Sequence, residues 1–136
     1  MVDRIPMNWP IEIILDKDFL YRRVHNNLLI ISCNFDDIPP YAFKDNNGIS
    51  TEWNKYSTPE ETRQRALDPK KNSVIKIKVE IIRQFQNFSV NHAPIPLNRA
   101  HSNINGLKTY KKEDQTDIRK RLSRAAEWII KASLTI

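Results

Sequence analysis

The C-terminal part of the chain carries a helical pattern of apolar residues. After Thr116, apolar side chains recur three or four positions apart; they are Ile118, Leu122, Ala125, Ala126, Ile129, Ile130 and Leu134. This spacing places them along one face of an α-helix, as a stripe that faces a core. Acids that precede the stripe, at Glu113 and Asp114, suit the positive N-terminal end of a helix dipole. The pattern predicts a long amphipathic helix over residues 113–134.

A second, shorter helix is indicated in the middle of the chain by its first residues. In Ser57-Thr-Pro-Glu-Glu61, Thr58 supplies a hydroxyl at the N-cap and Pro59 occupies the first helical position. Glu61 follows Thr58 by three residues, which is the spacing of a capping box. Asp68 precedes a proline and therefore disfavours helical geometry. We expect a short helix from Pro59 to about Leu67.

An alternating pattern follows this helix. Apolar and basic residues alternate from Ser73 to Val79, and a period of two sends Lys76 and Lys78 outward and the apolar residues inward. This segment is expected to be a strand with one face exposed to solvent. Residues 80–88 then have helical spacing.

The apolar run over residues 28–35 follows a turn signal, Asn26-Asn27, and predicts a strand buried on both faces near the centre of a sheet. Shorter segments are expected to add strands; they are residues 11–15, 19–24 and 101–107. Consecutive prolines at 39–40 and a turn signal at 45–48 predict an irregular loop over residues 36–57.

Together these elements predict one α+β domain over residues 1–136, with a small, mostly antiparallel sheet packed against a short middle helix and a long C-terminal amphipathic helix. A chain of 136 residues is long enough to bury one core. Its longest apolar run, residues 28–31, is far shorter than the roughly 20 residues that span a bilayer. The N-terminus lacks the pattern of a secretory signal, so we expect a cytoplasmic protein that contacts no membrane.

Neither a cofactor nor a metal is expected. Only Gly48 and Gly106 are available for a phosphate-binding loop, and neither stands in a glycine-rich motif. The three histidines match no zinc-ligand spacing. The lone Cys33 lies in an apolar segment and is expected to be a buried structural thiol.

Charge is distributed unevenly along the chain. Residues 1–68 hold eight Lys or Arg against eleven Asp or Glu, a net charge of −3, whereas residues 69–136 hold fourteen against five, a net charge of +9. Such polarity attracts polyanions, although it is equally compatible with a solubilising surface. The leading hypothesis is a binding or accessory protein that engages nucleic acid or an acidic protein partner. The cations expected to make that contact are Lys76, Lys78, Arg99, Lys108, Lys111, Lys112, Arg119, Lys120, Arg121 and Arg124.

An enzymatic alternative rests on two histidines. His92 and His101 flank a proline-containing segment that can turn and bring their imidazoles together. A base, an acid and an arginine are the groups that a metal-independent phosphodiester-cleaving or nucleotide-processing site needs, and Arg22 or Arg99 is the candidate anion clamp. Both histidines are equally interpretable as hydrogen-bonded structural residues of a loop.

A third group of residues is a candidate for contact with a protein partner. Trp53 and Tyr56 lie before the middle helix, where aromatic side chains either fill a partner's pocket or fix their own loop to the domain. Extended geometry would place Arg22 and Arg23 on opposite faces, so one of them must point inward or along an edge. That arginine is expected either to form a salt bridge with Asp36, Asp37, Glu60 or Glu61 or to bind an anion in a cleft, and Arg23 is the candidate for contact with a partner. An exposed apolar patch at the two aromatics would indicate an immunity or antitoxin type of protein.

Four short motifs give the chain a resemblance. They are Leu20-Tyr-Arg-Arg-Val24, Gly48-Ile-Ser50, Thr58-Pro-Glu60 and Ala100-His-Ser-Asn-Ile104. In this order they resemble a group of small uncharacterised bacterial proteins with an Arg-Arg-Val start and an Ala-His-x-x-Ile segment near the end, over roughly residues 20–107. No activity is attached to the group. The resemblance implies that Arg22, Arg23 and His101 are the first residues to test.

Overall fold

The computed structural model describes residues 9–32, 34 and 36–133. Within these ranges the chain forms six strands and four α-helices. The strands are β1 (Phe19–His25), β2 (Ile49–Trp53), β3 (Asn72–Lys78), β4 (Ser89–His92), β5 (His101–Asn105) and β6 (Glu127–Ile130). The helices are α1 (Asn26–Ser32), α2 (Pro59–Gln64), α3 (Val79–Arg83) and α4 (Lys112–Ala125), and short 3-10 turns occur at Pro40–Phe43, Pro69–Lys71 and Leu107–Thr109.

The six strands form one antiparallel sheet in the order β4-β5-β2-β1-β3-β6. The predicted α+β class is therefore confirmed. Strand β1 pairs with β3 along its whole length, from Phe19 opposite Lys78 to His25 opposite Asn72. It pairs with β2 at only two positions, Leu20 opposite Trp53 and Tyr21 opposite Glu52. The two strands consequently separate beyond Tyr21.

One face of the sheet is the core face. Its buried side chains include Leu20, Trp53 and Ile77, and they belong to the same apolar cluster as Ile118 and Leu122 of α4. Helix α4 therefore covers this face, where it also packs against the 3-10 turn at Pro40–Phe43. Removing these side chains from water is the main stabilising contribution to the fold.

The C-terminal helix is confirmed, but its predicted end at residue 134 is wrong. Helix α4 has Glu113 in its first turn, as expected, and ends at Ala125 because Ala126 adopts extended geometry with φ −83° and ψ 159°. Residues 127–130 then form β6, which pairs with the edge of β3. The edge of β3 has main-chain groups without hydrogen-bond partners. By pairing with it, residues 127–130 form as strand the backbone hydrogen bonds that they would otherwise form in a helix, and their β-branched side chains favour the strand. Leu134 lies outside the described residues.

The strand predicted over residues 28–35 is wrong. Residues 26–32 form α1, in which Leu29 is buried whereas Ile31 is 78% exposed. A short apolar run cannot by itself distinguish a strand from a helix, and the long pairing of β1 with β3 already fills the centre of the sheet. Cys33 lies outside the described residues.

The irregular loop predicted over residues 36–57 is also wrong in part, because it contains β2. Ile49, Thr51 and Trp53 are buried on the core face and alternate with Ser50 and Glu52, which lie on the opposite face. The preceding turn is stabilised by Asp45, whose carboxylate accepts a hydrogen bond from the Gly48 amide at 2.6 Å. Residues 11–15 form no strand, and the strand predicted over 101–107 ends at Asn105.

Helix α2 begins with the predicted capping box. The Thr58 hydroxyl accepts a hydrogen bond from the Glu61 amide at 3.1 Å, and the Glu61 carboxylate accepts one from the Thr58 amide at 3.0 Å. The helix ends at Gln64, short of the expected Leu67. It packs against β1 and β3 on the face opposite α4. The side chains of the candidate site lie on the face beneath α2.

Candidate functional site

The face of the sheet opposite the core carries polar side chains from four strands. Tyr21, Glu52 and His101 are opposite one another across β1, β2 and β5, and Lys76 of β3 lies beside Tyr21. We call this surface the polar face. A cavity of about 130 Å³ opens on it between the sheet and α2, and we call it the sheet-face pocket. Its lining comprises Tyr21, Arg22, Arg23, Ser50, Thr51, Glu52, Thr62, Asn98 and His101.

A buried carboxylate lies beside this pocket. The Glu52 side chain is 5% exposed and accepts hydrogen bonds from Arg65 Nη1 at 2.8 Å and from Arg23 Nη1 at 3.3 Å. Asn98 Nδ2 donates a further bond at 3.3 Å. A buried carboxylate requires such partners because burial disfavours its charged form. Two guanidinium groups against one carboxylate leave the pocket with a net positive charge.

Arg23 is the guanidinium of this pair that lines the pocket, and it has unused donors. Its Nη1 also donates to the Thr62 carbonyl at 2.9 Å, and its side chain is 37% exposed. Its Nε and Nη2 donate no hydrogen bond to any residue within the described ranges. Arg23 therefore forms a salt bridge, but with Glu52 and with none of the four acids considered from the sequence.

Ser50 and His101 form a hydrogen-bonded pair on the same face. The Ser50 hydroxyl lies 2.8 Å from His101 Nε2, and His101 Nδ1 lies 2.8 Å from the Ala93 carbonyl oxygen. Because a carbonyl only accepts, we assign the proton to Nδ1, which makes the unprotonated Nε2 an acceptor for the hydroxyl. Ser50 is exposed and His101 is half-buried. This is the geometry of a nucleophile beside a general base that a third group orients.

Arg22 forms structural hydrogen bonds at the point where β1 and β2 separate. Its Nε donates to the Ala42 carbonyl and its Nη1 to the Ser50 carbonyl, both at 2.5 Å, while Nη2 lies 3.4 Å from the Lys44 carbonyl. Burial lowers the pKa of Arg22 to about 10, and the nearby charge of Arg23 adds to the shift. With its donors bound to main-chain carbonyls, Arg22 is not placed as the anion clamp considered from the sequence.

The structure does not bring His92 and His101 together. His92 pairs with Ser102, the neighbour of His101, so the two imidazoles project from opposite faces of the sheet. His92 is buried, its Nδ1 accepts from the Glu12 amide at 3.0 Å, and its Nε2 donates to the Arg99 carbonyl at 2.7 Å. Both ring nitrogens are thus used in structural hydrogen bonds.

The aromatic residues considered as partner contacts hold the N-terminal segment in place. Trp53 is only 1% exposed and donates from Nε1 to Asp18 at 3.0 Å. The Tyr56 hydroxyl donates to Glu12, and the Arg99 guanidinium stacks 4.2 Å from the Tyr56 ring centroid. Trp53 therefore offers no exposed surface to a partner, and the alternative that these residues fix their own loop is the one observed. Arg99 is likewise engaged within the fold.

The cations expected to contact nucleic acid or an acidic partner lie on two sides of the sheet. Lys76 and Lys78 belong to the polar face, where Lys76 is 3.9 Å from Glu127 and Lys78 is 3.3 Å from Glu80. The other cations lie on or before α4, which covers the core face; they are Lys108, Lys111, Lys112, Arg119, Lys120, Arg121 and Arg124. The sheet thus divides the cationic residues into two groups.

Beside α4 the positive charge is partly balanced. Lys120 and Arg124 line a groove of about 860 Å³, and its other wall carries Asp36 and Asp37. Arg121 is placed over the ring of Phe85, with its guanidinium 4.8 Å from the centroid. The sheet-face pocket therefore has the clearer excess of positive charge.

Sequence reasoning missed Ser50 and Glu52 of this pocket, and it missed Arg65, which binds Glu52 beside the pocket. Ser50 and Glu52 were assigned to an irregular loop, although the alternation of Ile49, Thr51 and Trp53 was a signal for a strand that would have placed them on one face. No sequence signal connects Arg65 with Glu52, because their contact depends on how α2 lies over the sheet.

Comparisons of the chain with family models, with curated proteins and with solved structures returned no match. Among the residues that the structure describes, no three His, Cys, Asp or Glu side chains are grouped so as to hold a metal ion. No helix in the described ranges has the length and apolar character needed to cross a membrane. The cytoplasmic location stays a prediction.

Proposed function

We propose that this protein binds a phosphate group of a nucleotide or nucleic acid in the sheet-face pocket. The observation that carries the proposal is the pairing of two guanidinium groups, Arg23 and Arg65, with the single carboxylate of Glu52, which leaves Arg23 Nε and Nη2 without a partner among the described residues. Guanidinium groups bind phosphate oxygens through pairs of parallel hydrogen bonds. A phosphate would complete the hydrogen bonding of Arg23.

The electrostatics around Arg22 support the same conclusion. The charge of Arg23 contributes to the lowered pKa of Arg22, after the larger effect of burial. Two neighbouring guanidinium groups repel each other, and a bound anion relieves that repulsion. The pocket is thus more favourable to an anion than to a neutral ligand.

The size of the pocket limits what enters it. A cavity of about 130 Å³ suits one phosphate or another small group and not a whole nucleotide. The remainder of the ligand would lie across the polar face, where Tyr21 offers an aromatic ring and Lys76 a cation. Aromatic stacking and phosphate contacts of this kind are how sheet surfaces bind single-stranded nucleic acid.

Fluorescence anisotropy tests this proposal with labelled single-stranded RNA and DNA oligonucleotides, titrated at low and moderate salt. Loss of a charged hydrogen-bond donor costs about 1.5–3 kcal/mol, so Arg23→Gln should weaken binding roughly 10- to 100-fold. The control is Arg124→Gln, which removes the same charge from an exposed position on α4. Absence of binding at low salt, or equal weakening by both variants, would contradict the proposal.

A second candidate function uses the cations on and before α4, which were expected from the sequence to bind a partner. Lys120 and Arg124 are exposed one turn apart on α4, and Lys108, Lys111 and Lys112 are exposed just before or at its start. These cations would engage nucleic acid or an acidic protein. The same titration separates the two surfaces, since this candidate requires Arg124→Gln to weaken binding and Arg23→Gln to leave it unchanged.

A further inference from the structure

The Ser50–His101 pair has the parts of a reactive nucleophile. Among the described residues, Ser50 is the only serine or threonine whose hydroxyl is hydrogen-bonded to a histidine, at 2.8 Å. The Ala93 carbonyl fixes the imidazole through Nδ1 at 2.8 Å, so that Nε2 is directed at the hydroxyl. Exposure of Ser50 lets a substrate reach it. These are the geometric requirements for nucleophilic catalysis by serine.

The position of the pair relates it to the anion site. Ser50 and His101 line the same pocket as Arg23. A phosphate held by Arg23 would therefore place its phosphorus near the Ser50 hydroxyl, and the guanidinium would stabilise the charge that develops on the phosphoryl oxygens. The pocket combines a nucleophile, a base and a charge-stabilising group.

We propose that Ser50 is a catalytic nucleophile and His101 its general base in the cleavage of phosphate esters, a proposal that rests on phosphate binding in the sheet-face pocket. Ser50 Oγ attacks phosphorus and forms an O–P bond, while its proton passes to His101 Nε2. The bond from phosphorus to the leaving oxygen breaks, and His101 returns the proton to that oxygen, which departs as an alcohol. Water then attacks the phosphoserine and gives a proton to His101. The bond from phosphorus to Ser50 Oγ breaks, and His101 returns the proton to Oγ, which releases phosphate and restores the Ser50 hydroxyl.

The group that orients His101 sets the expected reactivity. A carbonyl holds the correct tautomer as a carboxylate does, but it supplies no full negative charge to stabilise the imidazolium that forms. The pair is therefore expected to react more slowly than a Ser-His-Asp triad. It should still react faster than an isolated serine, because general-base catalysis contributes about 10²- to 10⁴-fold.

Labelling with a fluorophosphonate probe tests the nucleophile directly. Attack by Ser50 on the probe's phosphorus expels fluoride and leaves a covalent adduct, which intact-protein mass spectrometry and peptide mapping locate. We expect one adduct, on Ser50, that is absent from Ser50→Ala and forms about 100-fold more slowly in His101→Gln. The matched control is Ser89→Ala, since Ser89 is exposed on β4 of the same face but bonds to Asn91 and not to a histidine.

Oligonucleotide binding, measured in parallel, separates the two proposals. Ser89→Ala lies outside the pocket lining, so it should bind the oligonucleotide and be labelled on Ser50 like the wild type, whereas Ser50→Ala should lose the label. Thermal unfolding of each variant establishes that it is folded. Labelling of Ser50 without oligonucleotide binding would refute phosphate binding and leave the nucleophile standing. Binding without labelling, or labelling that does not depend on His101, would overturn the catalytic proposal.

Discussion

Replacing Glu52 by Gln should have opposite effects on stability and on anion binding. The carboxylate is 5% exposed and bonds to Arg65 at 2.8 Å and to Arg23 at 3.3 Å. Removing one member of a buried ion pair costs about 3–5 kcal/mol. Since both guanidinium groups are about one-third exposed and glutamine still accepts a hydrogen bond, we expect the free energy of unfolding to fall by roughly 2–3 kcal/mol.

The same substitution raises the charge of the sheet-face pocket by one unit. A unit charge about 8 Å from a bound phosphate, at an effective dielectric constant of roughly 20–40, changes the binding energy by about 1–2 kcal/mol. Glu52→Gln should therefore bind an oligonucleotide roughly 5- to 30-fold more tightly at low salt, provided that Arg23 keeps its place.

Urea unfolding and fluorescence anisotropy measure the two effects on the same preparation. Glu127→Gln is the control, because the Glu127 side chain is 72% exposed and 3.9 Å from Lys76; it should change stability by less than about 0.5 kcal/mol. Tighter binding together with lower stability supports the reasoning. An unchanged unfolding midpoint would refute the buried ion pair, and weaker binding would refute an anion site at Arg23.

Three further predictions concern the fold. Gly106→Ala should lower the free energy of unfolding by roughly 3 kcal/mol, because φ is +121° and the added Cβ would lie 2.3 Å from the Asn87 carbonyl oxygen; urea unfolding measures it, and a loss below about 1 kcal/mol would contradict it. Thr58→Ala should cost about 1 kcal/mol through loss of the N-cap, whereas Thr58→Ser should cost little in the same assay. The hydrogen bond from Lys55 holds the pKa of Glu12 below its ordinary 4.5, so this pair stabilises the fold above that pH and ceases to as pH falls through the lowered pKa. Glu12→Gln should therefore show a smaller fall in Tm between pH 6 and pH 3, and an equal fall would count against the pair.

Features set by neighbouring residues could be predicted from the sequence. The capping box at Thr58 depends on residues three positions apart, and the alternation that identifies β3 is contained in residues 73–79. The start of α4 is similarly local, since its first-turn acids and its apolar stripe are adjacent in the chain. Elements whose identity depends on a distant partner were misassigned, as β6 shows, because the unpaired edge of β3 decides its conformation.

The candidate site was only partly predictable because it depends on strand register. A shift of one residue exchanges the two faces of a strand, and for that reason the sequence could not separate His92, which projects into the core, from His101, which projects into the pocket. Likewise, the two adjacent arginines have opposite roles: Arg22 binds main-chain carbonyls and Arg23 binds Glu52. The identity of each residue was available in advance, whereas its orientation required the paired strands.

Arg22 mechanically connects the two sides of the sheet. Its guanidinium joins the carbonyl of Ser50, whose hydroxyl lies in the pocket, to the carbonyl of Ala42 in the turn that supports α4. We expect that an occupant of the pocket that displaces Ser50 would also displace this rigid, planar group and, through it, the turn that packs against α4. Slower amide hydrogen exchange in α4 would then report that the pocket is filled, about one sheet thickness away from the ligand.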